Sequence, residues 1–87
     1  MRSTTLALDE TARFHSRTAS CVASVAQKFE SMICFVSDGH MTDCKNVIAL
    51  MNMAIPDNRI LEIVADGSDE QTAISEIEYI ITNMHWR

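Results

Sequence analysis

Apolar residues recur along the first third of the chain at two spacings, one typical of strands and one of helices. Residues 4–8 alternate, with Leu6 and Leu8 on one face, and predict a short half-buried strand. Residues 9–14 are interpreted as a loop. From Ser16 onward the apolar positions are three and four residues apart, as in a helix with one buried face. They are Ala19, Val22, Ala23, Ala26 and Phe29.

The middle of the chain predicts a hairpin followed by a short helix. Residues 32–37 (MICFVS) are β-branched and aromatic and predict a strand. Asp38-Gly39 is typical of a tight hairpin turn, so a partner strand is expected at about residues 40–43. The segment 46–53 (NVIALMNM) is short and mostly apolar, and a helix is favoured over a strand.

The last third of the chain predicts one strand and one long helix. A turn at residues 56–58 (PDN) precedes a strand at residues 60–65 (ILEIVA). Ser68 is the expected N-cap of the helix, because Gln71 is placed to complete a capping box. The apolar face of this helix consists of Ala73, Ile74, Ile77, Ile80, Ile81 and Met84. The order β-α-β-β-α-β-α predicts an α+β fold with an antiparallel sheet and helices on one face.

Composition excludes several classes of function. The chain has 87 residues, enough for one core, and we expect a single domain over residues 1–87. A net charge of −5 argues against nucleic-acid binding. No apolar run is long enough to span a membrane, and Asp9 and Glu10 interrupt the N-terminal segment where a signal peptide is apolar. We therefore expect a cytoplasmic protein without membrane insertion.

No metal site, cofactor site or disulfide framework is predicted from the sequence. The three cysteines are widely spaced and include no C-x-x-C pair. His40 and His85 have no acidic or metal-binding neighbours in a recognisable pattern, so both are expected at the surface. The cysteines are Cys21, Cys34 and Cys44.

The residues around His15 carry the clearest chemical signal. His15 stands just before the first predicted helix, whose unpaired backbone N–H groups favour an anion. Arg17 is a permanently charged donor suited to phosphate, and Arg13 adds a second cation. Neutral imidazole is a nucleophile near pH 7. The pattern predicts a histidine that accepts a phosphoryl group held by Ser16, Arg17 and Thr18. The alternative is a histidine that only caps the helix.

Segment 46–53 leaves two interpretations open. Leu50 and Met53 are three residues apart and share a face that must be buried. Val47, Ile48 and Met51 then fall partly outside that face. Either the short helix is buried on all sides, or these three residues form an exposed apolar patch for a partner.

Three segments resemble HPr, the histidine-containing phosphocarrier protein of the bacterial phosphoenolpyruvate-dependent sugar phosphotransferase system. Residues 13–20 (RFHSRTAS) match its active-site motif at the histidine, the arginine and the small residues. Residues 45–54 (KNVIALMNMA) and 66–70 (DGSDE) are similar, in register, to the second motif and to the entry into the last helix. The resemblance implies an HPr-like open-faced β-sandwich, with a four-stranded antiparallel sheet and three helices on one face.

The resemblance also implies a function for a monomer that needs no cofactor. His15 accepts a phosphoryl group from enzyme I and passes it to an enzyme IIA domain, so the protein is a carrier in a relay and not an independent catalyst. Arg17 orients the phosphoryl group. The implied docking face combines the apolar patch with one face of the first helix. Helical spacing alone places this face opposite the alanines of the same helix. Its residues are Arg17, Ser20, Cys21, Ser24, Val47, Ile48 and Met51.

Four residues depart from the family pattern. Arg13 replaces a glycine, Phe14 an aliphatic residue and Thr18 a proline, so the loop is expected to differ, with the Thr18 hydroxyl offered to the phosphate. Asn46 stands at the position of the regulatory serine and cannot be phosphorylated, so control by an HPr kinase is not expected. These departures suggest a divergent paralogue. The alternative function is a regulatory binding module that docks a partner without obligatory phosphate transfer.

Overall fold

The computed structural model describes residues 1–86 and contains the predicted elements in the predicted order. The strands are β1 (Arg2–Ala7), β2 (Met32–Ser37), β3 (His40–Asp43) and β4 (Ile60–Asp66). The helices are α1 (Ser16–Ala26), α2 (Val47–Asn52) and α3 (Glu70–Thr82). The α+β class is confirmed.

The strands form one antiparallel sheet in the order β1-β4-β2-β3. Ile63 in the central strand β4 lies opposite Thr4 of β1 and Phe35 of β2, which fixes the register across three strands. The β2–β3 hairpin turns at Asp38 and Gly39, whose φ angles are 50° and 79°. Left-handed backbone at both positions is what a type I′ turn requires, so the predicted turn is confirmed.

One face of the sheet is covered by helices, as in an open-faced β-sandwich. In β4, the buried Leu61 and Ile63 face the helices, whereas Ile60 is exposed. The apolar positions that spacing predicts within α1 and α3 are buried, with Ile80 half-buried beside them. The predicted Phe29 and Met84 are half-buried but lie beyond the ends of the two helices. The buried helical residues are Ala19, Val22, Ala23, Ala26, Ala73, Ile74, Ile77 and Ile81.

The predicted start of the last helix was wrong by one residue. The N-cap of α3 is Asp69, and Ser68 instead donates a hydrogen bond to Glu30 Oε2 at 3.1 Å. The reciprocal bond expected from Gln71 is made by Glu70, whose Oε1 accepts from the Gly67 N–H at 3.1 Å. Glu70 and Gln71 are adjacent in the sequence, and either side chain could make this reciprocal bond. The tertiary contacts of Asp69 select Glu70.

The Asp69 carboxylate fastens the start of α3 to the segment between α1 and β2. It accepts hydrogen bonds from the Ser31 hydroxyl and from the backbone N–H groups of Glu30 and Ser31, the last two at 2.9 Å. These bonds, the Ser31 hydroxyl first, lower the pKa of Asp69 below its usual range. Gly67 permits the close approach, because a Cβ there would lie 2.6 Å from Ser31 Cα.

Asp69→Asn is expected to lower the melting temperature at neutral pH, because the variant loses a charged acceptor of three hydrogen bonds. A carboxyl whose folded-state pKa is depressed stabilises the protein above its unfolded-state pKa and ceases to do so as the pH falls through the folded-state value. The difference in melting temperature between wild type and variant should therefore narrow as the pH falls below about 4. Thermal melts across pH, with the exposed Asp57→Asn as control, check this. A pH-independent difference would contradict it.

Candidate functional site

His15 is the N-cap of α1 and is exposed to solvent. Its backbone is extended, with φ −97° and ψ −175°, and its carbonyl oxygen accepts the first helical hydrogen bond from Ala19 N–H at 2.8 Å. The His15 N–H donates to the Thr18 hydroxyl at 3.0 Å. The imidazole faces the Thr18 N–H, which gives the outline of a capping box without completing that second hydrogen bond. The imidazole therefore sits over the positive end of the helix.

Thr18 is fully buried, and its hydroxyl is occupied within the first turn. Besides accepting from His15 N–H, it donates to the Arg13 carbonyl oxygen at 2.8 Å. The expectation that this hydroxyl binds phosphate was therefore wrong, because the hydroxyl has no surface for a ligand. Thr18 instead ties together the residues before and after His15, and so fixes the first turn where a proline would have preset it.

The loop before α1 is held by alternate burial of its residues. Ala12 and Phe14 are buried, whereas Arg13 and His15 are exposed. The Phe14 ring packs against Phe35 at 5.5 Å between centroids and meets Trp86 edge-on at 5.3 Å. The aromatic residue at position 14 thus anchors the loop in the core.

Arg13 fits this loop without the conformation that glycine favours. Among the described residues, the non-glycine positions with positive φ are Asp38 and Arg59, so Arg13 has ordinary backbone geometry.

Arg17 is exposed, and its guanidinium reaches the C-terminal segment. Its Nη2 donates a hydrogen bond to the backbone carbonyl oxygen of His85 at 3.0 Å. Sequence reasoning missed this contact, because a backbone carbonyl 68 residues away leaves no mark in the amino-acid pattern. Arg17 is thus held at the surface beside the first turn of α1.

The exposed face of α1 is the one that residue spacing predicts. Arg17, Ser20, Cys21 and Ser24 are exposed, whereas the alanines on the opposite side are buried. The neighbouring helix α2 packs against α1, so exposed residues of the two helices adjoin.

Helix α2 is buried on one side only, which decides between the two interpretations of this segment. Leu50 is 0% exposed, whereas Ile48 is 66% and Met51 41% exposed. Val47 is an intermediate case, because it is half-buried against the core. The exposed apolar patch therefore centres on Ile48 and Met51, and Val47 contributes less surface to it.

Asn46 has a structural role at the start of α2. It is the N-cap of α2, and its Oδ1 accepts a hydrogen bond from the Ala49 N–H at 3.1 Å. Asparagine is among the residues preferred at this position.

A cleft of about 460 Å³ opens beside His15, between the loop before α1 and the segment after α2. His15 and Arg13 line it from one side, and Met51 lines it from the side of α2. Arg59, just before β4, also lines it. Arg59 had no sequence signal, since nothing in the local pattern connects residue 59 to the His15 loop.

Other chemically reactive residues lie apart from this cleft. His40 and His85 are exposed. The three cysteines are free: Cys21 is exposed, and Cys34 and Cys44 are buried. Burial raises the pKa of the Cys44 thiol, so this thiol is unreactive. Within residues 1–86, no group of three or more His, Cys, Asp or Glu side chains is placed to hold a metal ion. None of the helices described is both long and apolar enough to cross a membrane.

Comparisons with known proteins point to one family. The sequence model of PTS-HPr, described as the PTS HPr component phosphorylation site, matches residues 3–83. The phosphocarrier protein HPr of Treponema pallidum (strain Nichols) is 35% identical over 69 residues, which cover 79% of this chain and 78% of that protein.

Solved structures of similar proteins agree with the sequence match. The histidine-containing phosphocarrier protein of Mycoplasma has a TM-score of 0.83 at 29% identity, over 94% of both chains. HPr of Thermoanaerobacter tengcongensis has a TM-score of 0.85 at 24% identity, over 95% of this chain and 93% of that one, which supports the fold. Because the family match spans most of the chain and includes the segment that carries His15, the chain belongs to the HPr family of phosphocarrier proteins.

Proposed function

We propose that His15 carries a phosphoryl group from enzyme I to an enzyme IIA domain of a phosphoenolpyruvate-dependent phosphotransferase system. The observation that carries this proposal is the exposed imidazole of His15 at the N-terminus of α1, in a chain of the HPr family. A neutral imidazole nitrogen attacks phosphorus, and the N–P bond forms as the bond between phosphorus and the donor breaks. In the transfer to enzyme IIA the N–P bond at His15 breaks as the acceptor of enzyme IIA bonds to phosphorus. No cofactor takes part.

The first turn of α1 supports the charged phosphoryl group in this proposal. Backbone N–H groups at Ser16 to Thr18 lack helical acceptors, as at any helix start, and they attract an anion placed at the N-cap. Because Thr18 is fully buried, direct backbone contacts are proposed for the N–H groups of Ser16 and Arg17, and Thr18 contributes by fixing the turn. No acidic side chain lies in the first turn to repel the phosphoryl group.

Arg17 is proposed to donate to the phosphoryl group on phosphorylation. In the unphosphorylated protein its guanidinium donates to the neutral carbonyl oxygen of His85. A phosphoryl oxygen is charged, and a charge-assisted hydrogen bond is about twice as strong as a neutral one. The guanidinium is thereby drawn to the phosphoryl group during transfer.

The docking face is proposed to surround His15 on α1 and α2. Polar Ser20, Cys21 and Ser24 provide one half, and the patch centred on Ile48 and Met51 provides the other. A carrier must bind both partners through the same surface and release both, which suits a small interface of micromolar affinity, about −8 kcal/mol. We propose that the protein does this as a monomer in the cytoplasm.

Labelling with radioactive phosphoenolpyruvate and enzyme I tests the proposal. We expect one phosphoryl group per chain, with the acid lability and base stability of a phosphoramidate linkage. Addition of an enzyme IIA domain should remove it. A stable complex with enzyme I that never yields a labelled chain would favour the regulatory binding module. That alternative drew support from Arg13 and Thr18, and the structure accommodates both residues within an ordered first turn.

Arg17→Ala is expected to slow phosphoryl transfer about 10- to 100-fold, because it removes a charged donor from the developing phosphoryl charge. Since Arg17 is exposed, the melting temperature should change little. Rapid-quench kinetics with enzyme I measure the transfer rate, and Lys28→Ala removes an exposed positive charge as the matched control. Transfer at the wild-type rate would show that Arg17 takes no part.

A further inference from the structure

Arg59 joins the start of β4 to the loop that carries His15. Its backbone is fixed on both sides: its N–H donates to the Pro56 carbonyl at 2.9 Å, and its carbonyl accepts from Leu8 N–H at 2.7 Å. Its Nη2 donates to the carbonyl oxygens of Asp9 and, at 3.3 Å, of Ala12. The guanidinium thus bridges two carbonyl groups of one loop across the fold.

The conformation of Arg59 is unfavourable for an isolated residue. Its φ is +61°, in the left-handed region that residues with a Cβ adopt rarely. Its Nε is buried and has no hydrogen-bond partner among the described residues. Backbone strain and an unsatisfied buried donor persist where the surrounding contacts compel them. Here those contacts are the backbone hydrogen bonds to Pro56 and Leu8 and the two carbonyl groups of the loop.

The loop before His15 needs such support at its first half. Phe14 is anchored in the core by Phe35 and Trp86, and Thr18 fixes the turn after His15. Residues 9–12 have a local turn of their own, in which Asp9 accepts hydrogen bonds from the backbone of Thr11 and Ala12. Ala12 is also buried in the core, and Arg59 ties the carbonyl groups of Asp9 and Ala12 to the start of β4.

We infer that Arg59 is a positioning residue for His15, which sets the loop geometry through the carbonyl groups of Asp9 and Ala12 without contacting the phosphoryl group. This inference rests on the proposed function. Transfer rates depend steeply on small displacements of a reacting atom. Removing the guanidinium should therefore reduce the rate of transfer more than it reduces binding of enzyme I.

Three variants separate positioning from charge. Arg59→Asn removes the guanidinium and tolerates left-handed backbone. Arg59→Lys keeps the charge and loses the planar fork that spans two acceptors. Lys28→Asn removes an exposed positive charge elsewhere and is the matched control.

We expect Arg59→Asn and Arg59→Lys to speed backbone amide exchange of residues 9–15 and to lower the transfer rate about tenfold. The dissociation constant for enzyme I should stay within about twofold of wild type, since Arg59 belongs to neither α1 nor α2 and its guanidinium is engaged by the carbonyl groups of Asp9 and Ala12. Lys28→Asn should change neither the exchange nor the rate. Unchanged loop exchange in Arg59→Asn would overturn the inference. A wild-type transfer rate in Arg59→Lys, together with fast amide exchange of residues 9–15, would also overturn it.

A chemical phosphoryl donor keeps this test independent of enzyme I. Phosphoramidate phosphorylates imidazole directly: the His15 nitrogen forms the N–P bond, the P–N bond of the donor breaks, and ammonia leaves. If enzyme I fails to label the wild-type protein, the proposed function is wrong. The phosphoramidate rates of Arg59→Asn and Lys28→Asn then still decide the inference, which predicts a lower rate for Arg59→Asn alone.

Discussion

His15→Ala is expected to abolish phosphorylation of the protein by phosphoenolpyruvate and enzyme I. The imidazole is the nucleophile at the N-cap of α1, and alanine cannot replace it. Because the side chain is exposed, its removal should leave the fold intact. Quantitative labelling, with circular dichroism to confirm folding, measures the loss.

The chain supplies two matched controls for this experiment. His40 and His85 are exposed histidines outside the first turn of α1, so His40→Ala and His85→Ala should be labelled like wild type. His85→Ala is informative because Arg17 donates to the backbone carbonyl of residue 85, which alanine retains. Label that persists in His15→Ala, or disappears in His40→Ala, would place the phosphoryl group elsewhere.

Met51→Glu is expected to weaken binding to enzyme I and to enzyme IIA by at least about tenfold, or about 1.4 kcal/mol. Met51 is 41% exposed on α2 and lines the cleft beside His15, so a charge there meets the apolar centre of the proposed interface. The melting temperature should shift little, because the new carboxylate can remain hydrated. Calorimetric titration and thermal melting of the same sample measure both effects.

Leu50→Ala is the matched control on the buried side of the same helix. Leu50 is 0% exposed, and truncating such a side chain destabilises a protein by about 2–5 kcal/mol. For a domain of this size each kcal/mol lowers the melting temperature by about 4–8 °C. Leu50→Ala should therefore melt far lower, whereas Met51→Glu should not. A large loss of melting temperature in Met51→Glu would contradict the docking face, even if binding also fell.

Periodic features of the fold could be predicted from the sequence. The buried stripe of α1 and the exposed positions Ser20 and Cys21 follow from helical spacing. The β2–β3 hairpin follows from Asp38-Gly39, because few residue pairs accept two left-handed positions in succession. Each of these signals is local and repeats a simple geometric rule.

Features that depend on one side chain meeting a distant backbone group could not be predicted. Asp69 caps the segment around Ser31 and thereby moves the start of α3 away from Ser68. Arg17 and Arg59 reach carbonyl groups 68 and 47–50 residues away. A carbonyl group is present at every position, so the sequence does not mark which of them will be an acceptor.

The edge-on contact between Trp86 and Phe14 gives the protein a built-in optical probe. Trp86 is the only tryptophan in the chain, it is buried, and its ring centroid lies 5.3 Å from that of the residue before His15. Indole emission depends on the polarity and motion of its surroundings. Intrinsic fluorescence therefore reports directly on this loop, so that loading of the site, partner encounter and loosening of the loop can be followed in real time without attaching a dye.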